Sequence, residues 1–289
     1  NNYEVHKDDQ LGRGFFSYVY KAYKIGLSFI PFASKHFLMD AYERRKNLLP
    51  IQNLTHEVYN HSILSHPSIV KFVGYSPVNF ENKRYQPVLM MKFIRNGSLG
   101  SIIEKVRTNK SPKKWNDTKK LINIFGIASA MSYIHSLGIL HRDLSIYNVL
   151  VDRNFYPKLC DFGLSINLKD IEEEEKDDVM GTTEFIAPEI WMNYKYSKSS
   201  DVYAFGFIVY ILITNKIPYS GMFEFDIIRK VCKQNLRPTI PKNVPTCYRN
   251  LIESCWNQNQ DQRPTFDFIV NELKTNNDFV KEIINKPEF

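Results

Sequence analysis

Apolar positions along the chain fall into two regimes. From residue 10 to residue 24, glycines, aromatics and Val19 follow one another closely, and the pattern predicts strand, turn and returning strand. The stretch "PFASKHF" at 31–37 predicts another strand. Over 52–65 the spacing becomes helical, with Leu54 and Val58 one turn apart and Ile63 and Leu64 beyond. Strands are predicted again at 69–75 and 87–94, and Asn96-Gly97 breaks the pattern as a turn. Apolar residues at 121, 124, 125, 128, 131 and 134 make a helical stripe over 118–137 that stops before Gly138. The run "YAFGFIVYILIT" at 203–214 predicts a buried helix with Ser199 or Ser200 as its N-cap. Helical segments dominate from 188 onward. The first third is thus mostly β with one helix, and the rest mostly α. That split marks an α+β protein of two lobes, residues 1–94 in the smaller and 95–289 in the larger.

Composition narrows the class. A length of 289 residues, 43% of them apolar and 24% charged, is enough for a sizeable core. The net charge of +7 comes from scattered Lys and Arg with no basic block, so no nucleic-acid partner is expected. The one dense charged run is acidic, Glu172 to Glu175 with Asp177 and Asp178. Cys160, Cys232, Cys247 and Cys255 have no C-x-x-C spacing and no accompanying His cluster. That argues against a metal site or a disulfide framework and for a reducing, cytoplasmic setting. The polar start carries no signal peptide, and the run at 203–214 is too short to cross a bilayer, so no membrane segment is expected in this chain. The abrupt start in strand-like sequence reads as a domain cut from a longer protein.

Three short stretches carry candidate chemistry. In "LGRGFFSYVYKA" at 11–22, Gly12 and Gly14 stand as G-x-G. Glycines there let backbone N–H groups approach phosphate oxygens with no Cβ in the way. Alone this is weak, since glycine-rich hairpins are common. Lys35 follows by the length of one returning strand and can reach the same phosphates. A cation held in a cleft needs a carboxylate to fix it, and Glu57, in the helical segment, is the candidate. In "HRDLSIYN" at 141–148, Asp143 can accept a proton from a hydroxyl, and Asn148 offers a neutral oxygen to a hard cation. Asp161, in "DFG", is thirteen residues beyond Asn148 and offers a second such oxygen. A base, two metal ligands, a phosphate-holding lysine and a glycine flap are together what phosphoryl transfer needs.

With these residues in order, the chain resembles a eukaryotic protein kinase domain. The matching stretches are G-R-G-F-F-S-Y-V, A-S-K, a helical Glu, H-R-D-L-S-I-Y-N, D-F-G and A-P-E, followed by "SDVYAFG" at 200–206 and "QRPTF" at 262–266. The resemblance runs from about residue 10 to about residue 272. It implies a two-lobed kinase fold binding ATP with Mg²⁺, or Mn²⁺ in its place. It implies that the loop Leu11, Gly12, Arg13, Gly14, Phe15, Phe16, Ser17, Tyr18 and Val19 covers ATP. Lys35 would hold the α- and β-phosphates and pair with Glu57, Asp143 would be the catalytic base, and Asn148 and Asp161 would bind the metal. Counting back from Gly97-Ser98-Leu99 makes Met91 the gatekeeper, with backbone groups of Lys92 and Ile94 offered to adenine between Val19, Ala33 and Leu150. Glu189 is expected to pair with Arg263, and Asp201 to brace the catalytic loop, both structural roles. His141 is expected to support that loop by packing.

The departures bear on the acceptor. Ser17 stands for the third glycine, a mild change, and Lys92 replaces a frequent acidic hinge residue with its side chain expected in solvent. Kinases of this family usually carry Lys or Arg near the γ-phosphate, where this chain has Ser145 and Tyr147. Losing such a cation costs on the order of 2–4 kcal/mol, by analogy with loss of one preorganised donor. This leaves a slower kinase as the first reading and a nucleotide-binding scaffold as the second. "GTTEFIAPE" at 181–189 resembles the serine/threonine type, and "CWNQNQDQRPTF" at 255–266 the tyrosine and tyrosine-kinase-like groups. The mixture points to the tyrosine-kinase-like group, acting on protein substrates through Ser and Thr, with tyrosine or dual specificity as the alternative. Thr182 is placed to contact the catalytic loop. Asp178 stands where related kinases often carry a phosphorylated residue, so the acidic run is expected to supply a standing negative charge for Arg142. Cys160 is expected to be a small buried residue.

Overall fold

The computed structural model describes residues 3–14, 17–38, 49–79, 86–170 and 179–284. Phe15, Phe16 and the acidic run with Asp178 lie outside them. The smaller lobe is a five-stranded antiparallel sheet in the order β1-β2-β3-β5-β4, built from β1 (Tyr3–Arg13), β2 (Ser17–Lys24), β3 (Leu27–Phe37), β4 (Phe72–Ser76) and β5 (Val88–Lys92). The strand expected at 69–75 begins only at Phe72. Ile69 is instead drawn into an isolated bridge with Leu159 of the other lobe, and the Val70 N–H donates to the Leu159 carbonyl at 2.9 Å.

Register decides what this sheet presents. Val19 and Leu89 both stand opposite Lys35, and Met91 stands opposite Ala33. Cross-strand partners share a face, and residues two apart along a strand share it too. Val19, Ala33, Lys35, Leu89 and Met91 therefore line one face. The other face buries Val5, Ala22, Val88 and Met90 in a cluster of its own.

Helix α1 (Leu49–Ile63) packs beneath the first face. Its inward positions include Leu54 but also three buried polar groups, Glu57, Asn60 and His61. Each has a partner outside the helix: Glu57 meets Lys35, Asn60 donates to the Ser165 carbonyl at 3.2 Å, and His61 donates to the Val70 carbonyl at 2.7 Å. Burying polar groups on a helix stabilises only where such partners exist. The helix is thereby keyed to one position between sheet and larger lobe.

The larger lobe contains α2 (Leu99–Arg107), α3 (Asp117–Ser136), β6 (Ile139–Leu140), β7 (Val149–Val151), β8 (Pro157–Leu159), β9 (Ile166–Asn167), α4 (Pro188–Asn193), α5 (Lys198–Thr214), α6 (Glu224–Gln234), α7 (Thr246–Cys255), α8 (Phe266–Thr275) and α9 (Asp278–Ile284). Helix α5 is apolar all round, and Val202 through Leu212 are buried without a break, the pattern of a helix at the centre of a core. Its N-cap is Ser197, not Ser199 or Ser200, which fall in the first turn. The reason is a reciprocal bond: the Ser200 hydroxyl accepts from the Ser197 N–H at 3.1 Å and donates to the Ser197 carbonyl at 2.7 Å. Among the described residues no helix is long and apolar enough to cross a membrane.

Candidate active site

The cleft between the lobes collects residues that are far apart in sequence. The hairpin of β7 and β8 brings two of them together. Val149 pairs with Leu159, and the ladder extends by one bond, from the Cys160 N–H to the Asn148 carbonyl at 2.9 Å. Asn148 and Asp161 thus flank the open end of one hairpin. Asp161 adopts a left-handed backbone, φ +60°. This conformation is uncommon but tolerated by Asp, and it marks the point where the chain leaves the strand.

Lys35 is buried between two carboxylates. Its Nζ lies 2.5 Å from Glu57 Oε1 and 2.9 Å from Asp161 Oδ1. Burial opposes the ammonium charge, but Asp161 and Glu57 more than offset it and hold the lysine above its ordinary value. The carboxylates are not equivalent. Glu57 is 3% exposed, whereas the Asp161 side chain is 45% exposed to the cleft. Burial, with Asp161 adding to it against the pull of Lys35, pushes Glu57 up to about 7. For Asp161, burial is overcome by the Lys35 ammonium, which holds the carboxyl below its usual range. The cleft-facing group is therefore the firmly ionised one.

Asp143 stands on the other side of the cleft. Its Oδ2 accepts from Asn148 Nδ2 at 2.7 Å, and its Oδ1 accepts from the Thr182 N–H at 3.2 Å and the Thr182 hydroxyl at 3.3 Å. The Asn148 amide also donates to the Asp143 carbonyl at 2.8 Å. With both amide N–H groups spent there, Oδ1 of Asn148 is what that side chain has left to offer a cation. Burial moves Asp143 upward, toward the range where a carboxylate takes a proton more readily. Gly181, at φ +116°, precedes Thr182, and a Cβ there would fall 3.3 Å from Asp143 Oδ1. Only glycine lets the chain pass so close to this carboxylate.

The loop that carries Asp143 is braced from below. Asp201 Oδ2 accepts from the His141 N–H and from His135 Nε2, each at 2.9 Å, and Oδ1 accepts from the Arg142 N–H at 3.0 Å. Arg142 is thereby held at φ +67°, a left-handed conformation costing about 1–3 kcal/mol for such a residue. His141 packs its ring on Phe162, centroids 5.3 Å apart, and Phe162 packs in turn on His61 of α1 at 5.2 Å. Glu189 and Arg263 form a buried two-pronged pair at 2.6 and 2.8 Å.

The remaining candidates line the cleft roof and back wall. Gly12 lies opposite Val19 in the β1–β2 ladder, on the cleft face, and nothing lies within 4 Å of where its Cβ would be. Leu11 is exposed, Arg13 stacks on Tyr18 at 5.3 Å, and the Gly14 N–H donates to the Ser17 carbonyl at 2.8 Å. Ala33, Met91 and Ile94 belong to one buried apolar cluster, with Val19, Leu150 and Cys160 packed at its edge. The Lys92 side chain points to solvent, and its N–H donates to the Lys71 carbonyl at 2.9 Å. Cys160 is half-buried rather than buried, because it packs at the edge of that cluster and not within it. Its thiol donates to the Asn148 carbonyl at 3.4 Å, and burial pushes its pKa well up. Ser145 is wholly buried with no hydrogen-bond partner for its hydroxyl, and Tyr147 is 54% exposed, so neither replaces a cation in the cleft.

A donor set of one amide oxygen and one ionised carboxylate oxygen suits a hard divalent cation that takes its other ligands from water and phosphate. Among the described residues, no group of three or more His, Cys, Asp or Glu could hold a metal without such help. The profile of the protein tyrosine and serine/threonine kinase family matches residues 5–273. The chain belongs to this family: it is a protein kinase domain.

Curated relatives agree with that assignment. The dual specificity protein kinase shkD of Dictyostelium discoideum is 30% identical over 92% of this chain and 34% of its own length. The probable serine/threonine-protein kinase drkC of the same organism is 31% identical over 78% of this chain and 29% of its own. The protein kinase domain thus spans about a third of these relatives. Its family uses ATP with a divalent cation and acts on protein substrates.

Two features of this kinase domain escape sequence reading. One is the Tyr196 ring, which lies 4.1 Å from the Arg142 guanidinium and whose hydroxyl bonds both the N–H and the carbonyl of Met180. The other is the Asn60 bond to Ser165, which ties α1 to the segment after D-F-G. An aromatic residue between Lys195 and Ser197 carries no signal of the first. The second was visible only as a polar residue on the apolar side of a helix.

Proposed function

We propose that this kinase domain transfers the γ-phosphoryl group of Mg-ATP to Ser and Thr hydroxyls of protein substrates, with Mn²⁺ as a second usable ion. The observation that carries this reading is the placement of Lys35 between Glu57 and Asp161, with Asp143 and Asn148 bonded to each other in the loop that faces it. The bound nucleotide and cation supply the leaving group and neutralise its charge. The chain's own residues position and hold. Lys35 pairs with the α- and β-phosphates, and Glu57 keeps its ammonium in place. Asn148 and Asp161 hold the cation. Asp143 orients the acceptor hydroxyl and takes its proton.

The loop of Leu11, Gly12, Arg13, Gly14, Phe15, Phe16, Ser17, Tyr18 and Val19 covers the phosphates. Val19, Ala33 and Leu150 enclose the adenine, backbone groups of Lys92 and Ile94 bond its edge, and Met91 stands at the back of the pocket. We place the lobe boundary between Ile94 and Arg95. The Ser/Thr assignment rests on "GTTEFIAPE", and the cytoplasmic assignment on cysteine usage alone. Dual specificity is the second reading, favoured by the name of the shkD relative.

Incubation with radiolabelled ATP and a generic unstructured protein substrate, followed by phosphoamino-acid analysis, tests the reading, with Asp143→Asn as control. Phosphoserine and phosphothreonine above the control are expected. Signal equal to the control supports the scaffold reading, and phosphotyrosine alone overturns the acceptor assignment.

A further inference from the structure

Behind the residues joining the lobes, on the side away from Lys35's partners, lies a recess of about 820 Å³. That is within the size of ordinary ligand sites, about 300–1,000 Å³. Four segments wall it: residues 30–32 of β3, the chain around the start of β4, residues 92–95, and the turn between β7 and β8 with Lys158. The walls are tied to one another. The Lys92 N–H donates to the Lys71 carbonyl at 2.9 Å, the Asn96 side chain donates to the Asp152 carbonyl at 2.6 Å, and Lys158 Nζ donates to the Pro67 carbonyl at 2.5 Å. A recess held open in this way does not have to be ordered on binding.

Its charge is one-sided. Lys71, Lys92, Arg95 and Arg153 line it and are exposed, and none forms an ion pair with a described carboxylate. The one acid on the lining, Asp152, is already committed, to Lys158 at 3.7 Å and to the Asn154 and Tyr156 N–H groups at 2.9 and 3.0 Å. Between the cations the lining is apolar, with Phe32, which stands opposite Lys92 in the sheet, and Phe93 half-buried. Separated cations over an apolar floor do not converge on a single anion. They match a strand of alternating acidic and apolar side chains.

We propose that this recess docks an acidic, partly apolar peptide segment of a partner protein. Its apolar side chains sit on Phe32 and Phe93, and its carboxylates meet Lys71, Lys92, Arg95 and Arg153. Such a site recruits a partner from behind the cleft and leaves the cleft itself free. Complementary charge of this kind governs partner choice and association rate and weakens with salt.

The test is fluorescence anisotropy with the purified chain and a fluorescein-labelled peptide of alternating leucine and glutamate. The triple variant Lys71→Glu, Arg95→Glu, Arg153→Glu is compared with wild type, and ATP affinity and melting temperature are measured on both. The expected result is saturable binding to wild type, weakened at least about tenfold in the triple variant and lost when the glutamates are replaced by glutamines, with ATP affinity unchanged. If the triple variant melts early, the pair Arg95→Ser, Arg153→Ser carries the same comparison. Equal affinity in wild type and variant overturns the proposal. So does tighter binding to a single-stranded oligonucleotide or to phosphatidylserine vesicles than to the peptide.

Discussion

The guanidinium of Arg142 lies 4.1 Å from the centre of the Tyr196 ring, and the Tyr196 hydroxyl holds Met180 by both its N–H and its carbonyl at 2.8 Å. One buried aromatic side chain thus links the residue beside the catalytic carboxylate to the chain that approaches it from the activation segment. Tyr196→Phe keeps the cation–π contact and deletes both hydrogen bonds. The expected loss is about 1–2 kcal/mol of stability, measured by urea unfolding, with a lower kcat at unchanged ATP affinity. Tyr196→Leu removes both interactions and lowers kcat further.

Glu57 gives a pH dependence with a definite sign. Its folded pKa, about 7, is raised above the ordinary 4.5, so the native state binds its proton more tightly than the unfolded chain does. Stability from this group is fully present below 4.5 and is lost as pH rises through about 7. Urea unfolding of wild type and Glu57→Gln at a series of pH values isolates it. The wild-type free energy of unfolding falls relative to the variant as pH is raised across that window; parallel profiles contradict the assignment.

Thr182 acts through Asp143. Its N–H and hydroxyl both donate to Oδ1, and donors to a carboxylate favour the ionised form. Thr182→Ala removes the hydroxyl donor and shifts the acid limb of kcat/KM to higher pH, with kcat down by up to about a hundredfold from loss of orientation. Thr182→Ser restores both. A kcat loss with no movement of the acid limb would assign Thr182 a packing role only.

The Glu189–Arg263 pair is structural. Arg263 also donates to the Ser199 and Asn257 carbonyls, at 3.0 and 2.8 Å, and its side chain is wholly buried. Removing one partner leaves a buried charge unpaired, so Arg263→Ala destabilises the chain by about 3–5 kcal/mol. Thermal unfolding of Arg263→Ala against Glu189→Gln, Arg263→Met checks this, and the paired replacement is the milder of the two.

Much of this arrangement was legible because its chemistry is local. "HRDLSIYN", "DFG" and the glycines at 12 and 14 are short runs in which residue type and spacing coincide with the job, and the change from β to α periodicity separated the lobes. Less legible was anything that depends on which face of an element is turned inward. Helix α1 turns Glu57, Asn60 and His61 toward the core, against ordinary amphipathic logic, because their partners come from β3, the chain just before β4 and the segment after D-F-G. The N-cap of α5 shifted to Ser197 because a bond between Ser197 and Ser200, not the start of the apolar run, sets where the first turn closes.

By itself the sequence determined a two-lobed α+β chain, its membership of a kinase-like family, and which side chains could act as base, cation and metal ligand. Only the tertiary structure decided how these groups are charged and held. Lys35 sits between carboxylates 22 and 126 positions away in sequence; burial, with Asp161 adding to it, raises Glu57 against the pull of Lys35, while the same ammonium keeps Asp161 ionised. Residue type and spacing are properties of short stretches. Burial and charge pairing exist only when distant stretches are packed against one another.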